Sequence, residues 1–262
     1  MAKEQFLRIE RFIGEKAIEE LNSKCVAIAG VGAVGGFAAE ALARSGVGKI
    51  KILDFDTISE TNINRQIIAT HKTVGRLKTE VMEERLKEIN PDIQVEAYPV
   101  FLSLENHHLL FDGSDLVLDC IDSLNPKITL LENAYKNGVP IISSMGAALR
   151  RNPTLIRFSD IMDTWGCPLA KQVRSGLRRR GVDRGIDCVF SPEKVDFSYI
   201  PPEEDDKAER MIDRGRKRVV LGSLPTVTAI FGEMMAHLAL EKLLGENTFH
   251  GEEEWNPKLK KK

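Results

Sequence analysis

The run Gly30-Val31-Gly32-Ala33-Val34-Gly35 follows an apolar stretch, Lys24 to Ala29, and leads into residues of helical composition, Phe37 to Arg44. Glycines at this spacing between a strand and a helix permit a tight turn. They also let the backbone approach phosphates, which a helix N-terminus attracts. A second apolar run, Lys49 to Asp54, ends on an acid nineteen residues after Gly35, where a carboxylate accepts hydrogen bonds from a ribose. The chain therefore opens with a βαβ unit built for a nucleotide. On this evidence alone an NAD-dependent oxidoreductase and an ATP enzyme are equally served.

The alternation continues. Ala17, Ile18 and Leu21 share the face of an N-terminal helix, and Lys78 to Asn90 has helical spacing stopped by Pro91. Ile93 to Val100, Leu116 to Cys120 and Val139 to Ser144 read as strands, and Pro126 to Asn137 as a helix ended by Gly138. The expected fold is α/β, a Rossmann-like, doubly wound and mainly parallel sheet. Beyond about residue 150 the pattern weakens. Thr154 to Phe158 and Asp187 to Ser191 are expected strands, Pro168 to Arg180 a basic helix, Pro201 to Asp206 an exposed loop, Thr226 to Leu244 a long apolar helix, and Lys258 to Lys262 a disordered tail.

Composition removes several classes. With 42% hydrophobic and 29% charged residues among 262, no apolar stretch approaches the roughly 20 residues that span a bilayer. The N-terminus has no secretory pattern, so a cytoplasmic protein without a membrane partner is expected. Four cysteines (Cys25, Cys120, Cys167, Cys188), none at CxxC spacing, argue against a disulfide framework or structural zinc. Net charge is only -2, yet residues 150–184 carry nine Lys or Arg against three acids. Such an excess suits phosphates.

After the second strand comes Asp54-Phe55-Asp56, then Asn62-Ile63-Asn64-Arg65-Gln66, then Val74-Gly75-Arg76-Leu77-Lys78, and later Asp119-Cys120-Ile121-Asp122. In this order D-x-D, N-x-x-R-Q, V-G-x-x-K and D-x-x-D resemble the nucleotide site of the E1-like superfamily, which forms acyl-adenylates from ATP. The resemblance implies Asp54 on the ribose, Arg65 and Lys78 on the phosphates, and Asp122 on Mg2+. It also implies Asn62, Gln66 and Asp56 around the nucleotide beside Gly30, Gly32 and Gly35. Arg8 resembles an N-terminal arginine that reaches the triphosphate of a second subunit, which implies a homodimer. The chemistry needs these types, because joining a carboxylate to the α-phosphate brings anions together and expels pyrophosphate.

The second half, including Ser143 to Ala148, Asn152-Pro153-Thr154 and Val189-Phe190-Ser191, resembles the tRNA threonylcarbamoyladenosine dehydratase branch of that superfamily. The likeness loosens at Arg157 to Asp163, and at Trp165-Gly166-Cys167, where polar residues are expected. It implies residues 1–150 as the ATP-binding adenylation domain. Residues 151–262 become a basic tRNA- or substrate-binding extension packed on the same fold. The implied reaction is ATP-dependent dehydration of N6-threonylcarbamoyladenosine at position 37 of tRNA. Arg174, Arg178, Arg179, Arg180 and Arg184 are then expected on tRNA phosphates, with Arg214, Arg216, Lys217 and Arg218 as a second set. ATP and Mg2+, with a monovalent cation as a further possibility, are the expected cofactors. A sulfur-transfer protein partner and a thiol role for Cys167 or Cys188 stay open. The alternative is an adenylyltransferase acting on the Gly-Gly tail of a ubiquitin-like sulfur carrier.

Overall fold

The buried runs form the strands of one sheet. In a computed structural model that describes residues 4–195, 221–245 and 248, Cys25–Ala29 (β1) is buried at every position, as a strand covered on both faces must be. In chain order the helices Leu7–Ile13 (α1) and Glu15–Ser23 (α2) precede it. After it come Gly35–Arg44 (α3), Lys49–Leu53 (β2), Lys78–Ile89 (α4), Gln94–Tyr98 (β3), His108–Phe111 (α5) and Leu116–Asp119 (β4). Next are Leu124–Lys136 (α6), Ile141–Ser144 (β5), Arg157–Asp160 (β6), Pro168–Arg178 (α7), Asp187–Phe190 (β7) and Pro225–Leu244 (α8). The N-terminal helix expected as one piece is two, broken at Gly14, whose φ is 92°. The strand expected from Thr154 starts later, because Pro153–Leu155 forms a 3-10 turn capped by the Asn152 side chain.

The sheet has the order β3-β2-β1-β4-β5-β7-β6. All pairs are parallel except β6 with β7. The chain reverses direction across the sheet at β1, first toward β3 and then toward β6, so the crevice beyond the carboxyl ends of β1 and β4 is the switch point where such sheets bind ligands. Residues after 150 supply β6, β7 and α8 to this same sheet and its two cores. One core holds side chains of α2, α3, α4 and α8, the other those of α5, α6 and α7. α8 lies along α3 at Gly232, where a Cβ would come 2.5 Å from the Val34 carbonyl oxygen and 2.7 Å from the Phe37 Cβ. Pro201 to Asp206, Arg214 to Arg218 and Lys258 to Lys262 lie outside the described residues.

The start of α3 is equally tight. A Cβ on Gly35 would sit 1.9 Å from the Gly30 carbonyl oxygen, and Gly30 itself has φ 88°. Gly35→Ala must push α3 away from β1, an overpacking cost of about 1–3 kcal/mol. Urea unfolding of this variant is expected to show that loss, and ATP, the expected cofactor, should stabilise it less than it stabilises the parent chain.

Candidate active site

The site grows from the carboxyl ends of β1, β2 and β4. Beyond β1, Gly32 is only half-buried, and the nearest atom to a Cβ built there is the Gln66 amide nitrogen at 3.7 Å, so the loop is open where a phosphate would enter. Beyond β2, the Asp54 carboxylate accepts from the Val31 amide (2.9 Å) and from the Asp56 amide (3.0 Å). The first of these bonds ties Asp54 to the glycine loop, and the second fixes the turn that follows β2. Burial pushes the Asp54 carboxyl up, and the Lys78 ammonium opposes that rise.

Lys78 begins α4 and is 5% exposed, yet its Nζ lies 2.8 Å from Asp56 Oδ2. The backbone repeats the link, with the Lys78 amide on the Asp56 carbonyl. The expected phosphate cation is thus held beside the loop by the second acid of the D-x-D pair. Asn62 is buried but serves structure as well. Its Oδ1 accepts from the Ser59 amide (3.2 Å) while the Ser59 hydroxyl accepts from the Asn62 amide, a capping box around a 3-10 turn. Arg65 is half-buried and donates to the Thr61 carbonyl and the Asn64 side chain, both at 2.9 Å. Gln66 is buried, and among the described residues its side-chain Oε1 has no partner, the kind of orphaned acceptor that costs about 1–3 kcal/mol until a ligand satisfies it.

On the other side of the loop, Cys120 packs against Gly30 and Gly35. Its amide continues the ladder to the Ala29 carbonyl, and burial pushes its thiol up to about 12. Asp122, two residues on, is exposed. Arg8 is exposed on α1, and among the described residues no hydrogen bond or ion pair joins it to the glycine loop. Glycine loop, Asp54, Asp56, Asn62, Arg65, Gln66, Lys78 and Asp122 thus share one edge of the sheet, and among the described residues no hydrogen bond or ion pair brings Arg8 to them.

Sequence reading missed a buried network behind Asp122. Lys127 and Asp119 are both 0% exposed, and Lys127 Nζ meets Asp119 Oδ2 at 2.6 Å. The ammonium also donates to the Ser144 carbonyl (2.9 Å) and lies 3.3 Å from the Ser143 hydroxyl, which itself donates to Asp119 at 2.6 Å. Asp119 Oδ1 accepts from the Ile121 amide (3.2 Å), setting the turn that carries Asp122. A signal existed: Lys127 falls on the α6 stripe of Leu124, Ile128 and Leu131, where a charge needs a buried partner.

The basic stretch is less free than its charge suggests. Arg150 is buried and donates to the Gly146 and Glu193 carbonyls. Arg174 donates to the Thr164 hydroxyl, Arg180 pairs with Glu132 (3.0 Å), and Arg184 holds Asp163 at 2.5 and 2.7 Å. Arg178 and Arg179 are exposed at the end of α7. Cys167 and Cys188 are buried, and burial pushes the Cys188 thiol up, which suits packing better than thiol chemistry.

A family model described as the ThiF family matches residues 4–261. The tRNA threonylcarbamoyladenosine dehydratase of Bacillus subtilis (strain 168) is 45% identical over 215 residues, covering 82% of this chain and 83% of that protein. The protein of the same name from Escherichia coli (strain K12) is 35% identical over 263 residues, 95% and 97% of the two chains. The crystal structure of the E. coli tRNA N6-threonylcarbamoyladenosine dehydratase, TcdA, in complex with ATP superposes with a TM-score of 0.80 at 33% identity, covering 94% of this chain and 96% of that one. With the E1-like fold and the residues expected around a nucleotide gathered at one sheet edge, the chain belongs to the ThiF family, among the tRNA threonylcarbamoyladenosine dehydratases.

Proposed function

We propose that this chain uses ATP to dehydrate N6-threonylcarbamoyladenosine at position 37 of tRNA to its cyclic form. The observation that carries the reading is the cluster around the glycine loop. Asp54 is bound to the Val31 amide, and Lys78 is stored on Asp56 2.8 Å away, beside an open Gly32 and the orphaned Gln66 carbonyl. The relatives matched over most of this chain carry the same enzymatic name.

In this reading Asp54 binds the ribose, and the glycine loop at the start of α3 receives the phosphates. Lys78 leaves Asp56 to meet them, with Arg65 and Asn62 alongside. A threonyl carboxylate oxygen then attacks the α-phosphorus of ATP and pyrophosphate departs. The carbamoyl group of the same substituent attacks the acyl carbon, AMP leaves with the bonding electrons, and one proton passes to solvent. Lys78 and Arg65 neutralise charge that accumulates on the phosphates as these bonds change.

Among the described residues no group of three or more His, Cys, Asp or Glu side chains could hold a metal. Mg2+ fits nonetheless, since it takes one or two carboxylates and completes its shell with phosphate and water. Asp122 would hold the ion, which would supply charge neutralisation for the phosphates. Arg8, exposed on α1, reaches the triphosphate held by a second copy, making the enzyme a homodimer. Arg178 and Arg179 lead the contacts to anticodon-stem phosphates, with Arg174, Arg180 and Arg184 reaching them once released from their present partners.

No helix among the described residues is long and apolar enough to cross a membrane. We place the reaction in the cytoplasm with its tRNA substrate. A sulfur-carrier adenylyltransferase has weaker support, because the two CxxC pairs typical of such enzymes are missing. A sulfur-transfer partner would find Cys167 and Cys188 buried.

The deciding experiment mixes protein, ATP and Mg2+ with tRNA that carries or lacks the threonylcarbamoyl group, and measures AMP. AMP release is expected only with the modified tRNA. Release indifferent to the modification overturns the reading.

A further inference from the structure

The turn Asp163 to Cys167 is anchored on every side. Arg184 grips Asp163 with both guanidinium nitrogens, Arg174 donates to Thr164, Gly166 lies against the backbone of Pro192, and Cys167 is buried next to Gly146. Out of this fixed turn Trp165 stands 58% exposed. Its ring and that of buried Phe190 meet edge-to-face, centroids 5.1 Å apart and planes at 72°, and the exposed part of the indole is left for another partner.

Position indicates what that partner is. Pro192 follows β7 and Gly146 follows β5, and both strands run parallel to β4, so Trp165 sits at the carboxyl edge that also carries Asp122. The ends of β4 and β7 are two strand spacings apart, about 10 Å. α6 begins two residues after Asp122 and α7 three residues after Trp165. Between these helices runs a groove of about 610 Å³, lined by Leu124, Ile128, Pro168, Lys171, Gln172 and Arg179 among others. Its mouth therefore opens between the adenylation site and an exposed indole, and cations line its course.

We propose that Trp165 stacks on an anticodon-loop base next to the modified adenosine, while the adjoining RNA strand enters the α6–α7 groove with its phosphates on Lys171 and Arg179. The inference rests on the tRNA reading above. Aromatic stacking combined with cations along a groove is how proteins hold splayed bases of single-stranded RNA. The roughly 10 Å between the ends of β4 and β7 leaves room for the threonylcarbamoyl arm, whose carboxylate must reach the α-phosphate while its base lies outside.

The chain has two tryptophans, so Trp255→Phe leaves Trp165 as the sole indole reporter. Titration with an anticodon stem-loop carrying threonylcarbamoyladenosine is expected to quench its fluorescence saturably. Trp165→Ala is expected to raise KM for that RNA about tenfold, the worth of one stacked base, with KM for ATP unchanged. Trp165→Phe should stay close to the parent. Lys171→Ala and Arg179→Ala should each flatten the salt dependence of RNA binding, which Trp165→Ala leaves alone. An unquenched indole at saturating RNA, or an unaltered KM for RNA in Trp165→Ala, overturns the proposal. So does a Trp165→Ala protein that changes oligomeric state, since the indole then belongs to a protein interface. If the parent chain releases no AMP with the modified RNA, the tRNA reading itself fails, a result distinct from any of these.

Discussion

The Lys127→Met variant is expected to melt on the order of 10 °C below the parent chain. Its methylene stem would still fill the space, but Asp119, wholly buried, would lose the ammonium 2.6 Å away and keep only the Ser143 hydroxyl and the Ile121 amide as donors. Removing one member of a buried ion pair costs about 3–5 kcal/mol. A chain of this size loses about 2–4 °C per kcal/mol, which places the shift near the stated value. Replacing both groups, Lys127→Met with Asp119→Leu, should recover a large part of that loss, because no charge is then stranded. Activity should not return with stability. Without the Asp119 carboxylate the Ile121 amide has no acceptor, and the turn that aims Asp122 loosens. Thermal melts and AMP release measured on the same three proteins separate the two effects, and equal activity in the double variant and the parent would refute the positioning role.

Lys78→Met should lower kcat/KM for ATP by about 10²–10³, the usual cost of losing one donor aimed at developing charge. Its effect on stability should be small. The Asp56 side chain is 30% exposed and can be solvated when its cation is removed, unlike Asp119. The two lysines therefore make opposite predictions from the same kind of contact. Lys127 is felt in the melt and, through Asp122, indirectly in turnover, whereas Lys78 is felt in turnover alone. Steady-state AMP release against ATP concentration, with a melt of the same preparation, tests the contrast.

The nucleotide half was legible because its signals are local. Gly35 must be glycine for a steric reason that lies within five residues of chain, and Asp54 follows directly on the strand that places it. Arg65 and Gln66 sit in one short turn with Asn62. The Lys127–Asp119 pair was harder to see, since a lysine in a helix reads as solvated unless the apolar stripe around it is weighed. The basic stretch misled in the other direction. Charge counting treats every arginine as available, whereas Arg150, Arg174, Arg180 and Arg184 are engaged by carbonyls, a hydroxyl and carboxylates that only folding brings near. Trp165 looked like a departure from pattern. Its exposure depends on a turn held by α7 and β7, which no short window of sequence contains.

The seat of α8 on α3 has a consequence for how the protein is made. The phosphate loop and α3 leave the ribosome early, but the helix that covers α3 lies about 180 residues further along, a separation that takes on the order of 10 to 40 s to synthesise. Throughout that interval the apolar side of α3 that later packs against α8 is bare. The nascent chain therefore carries a glycine loop in the right order of residues but without the cover that seats its helix. Nucleotide binding is expected to be gained only near the end of translation, and a ribosome stalled between β7 and α8 would be expected to display an adhesive chain instead of a premature enzyme.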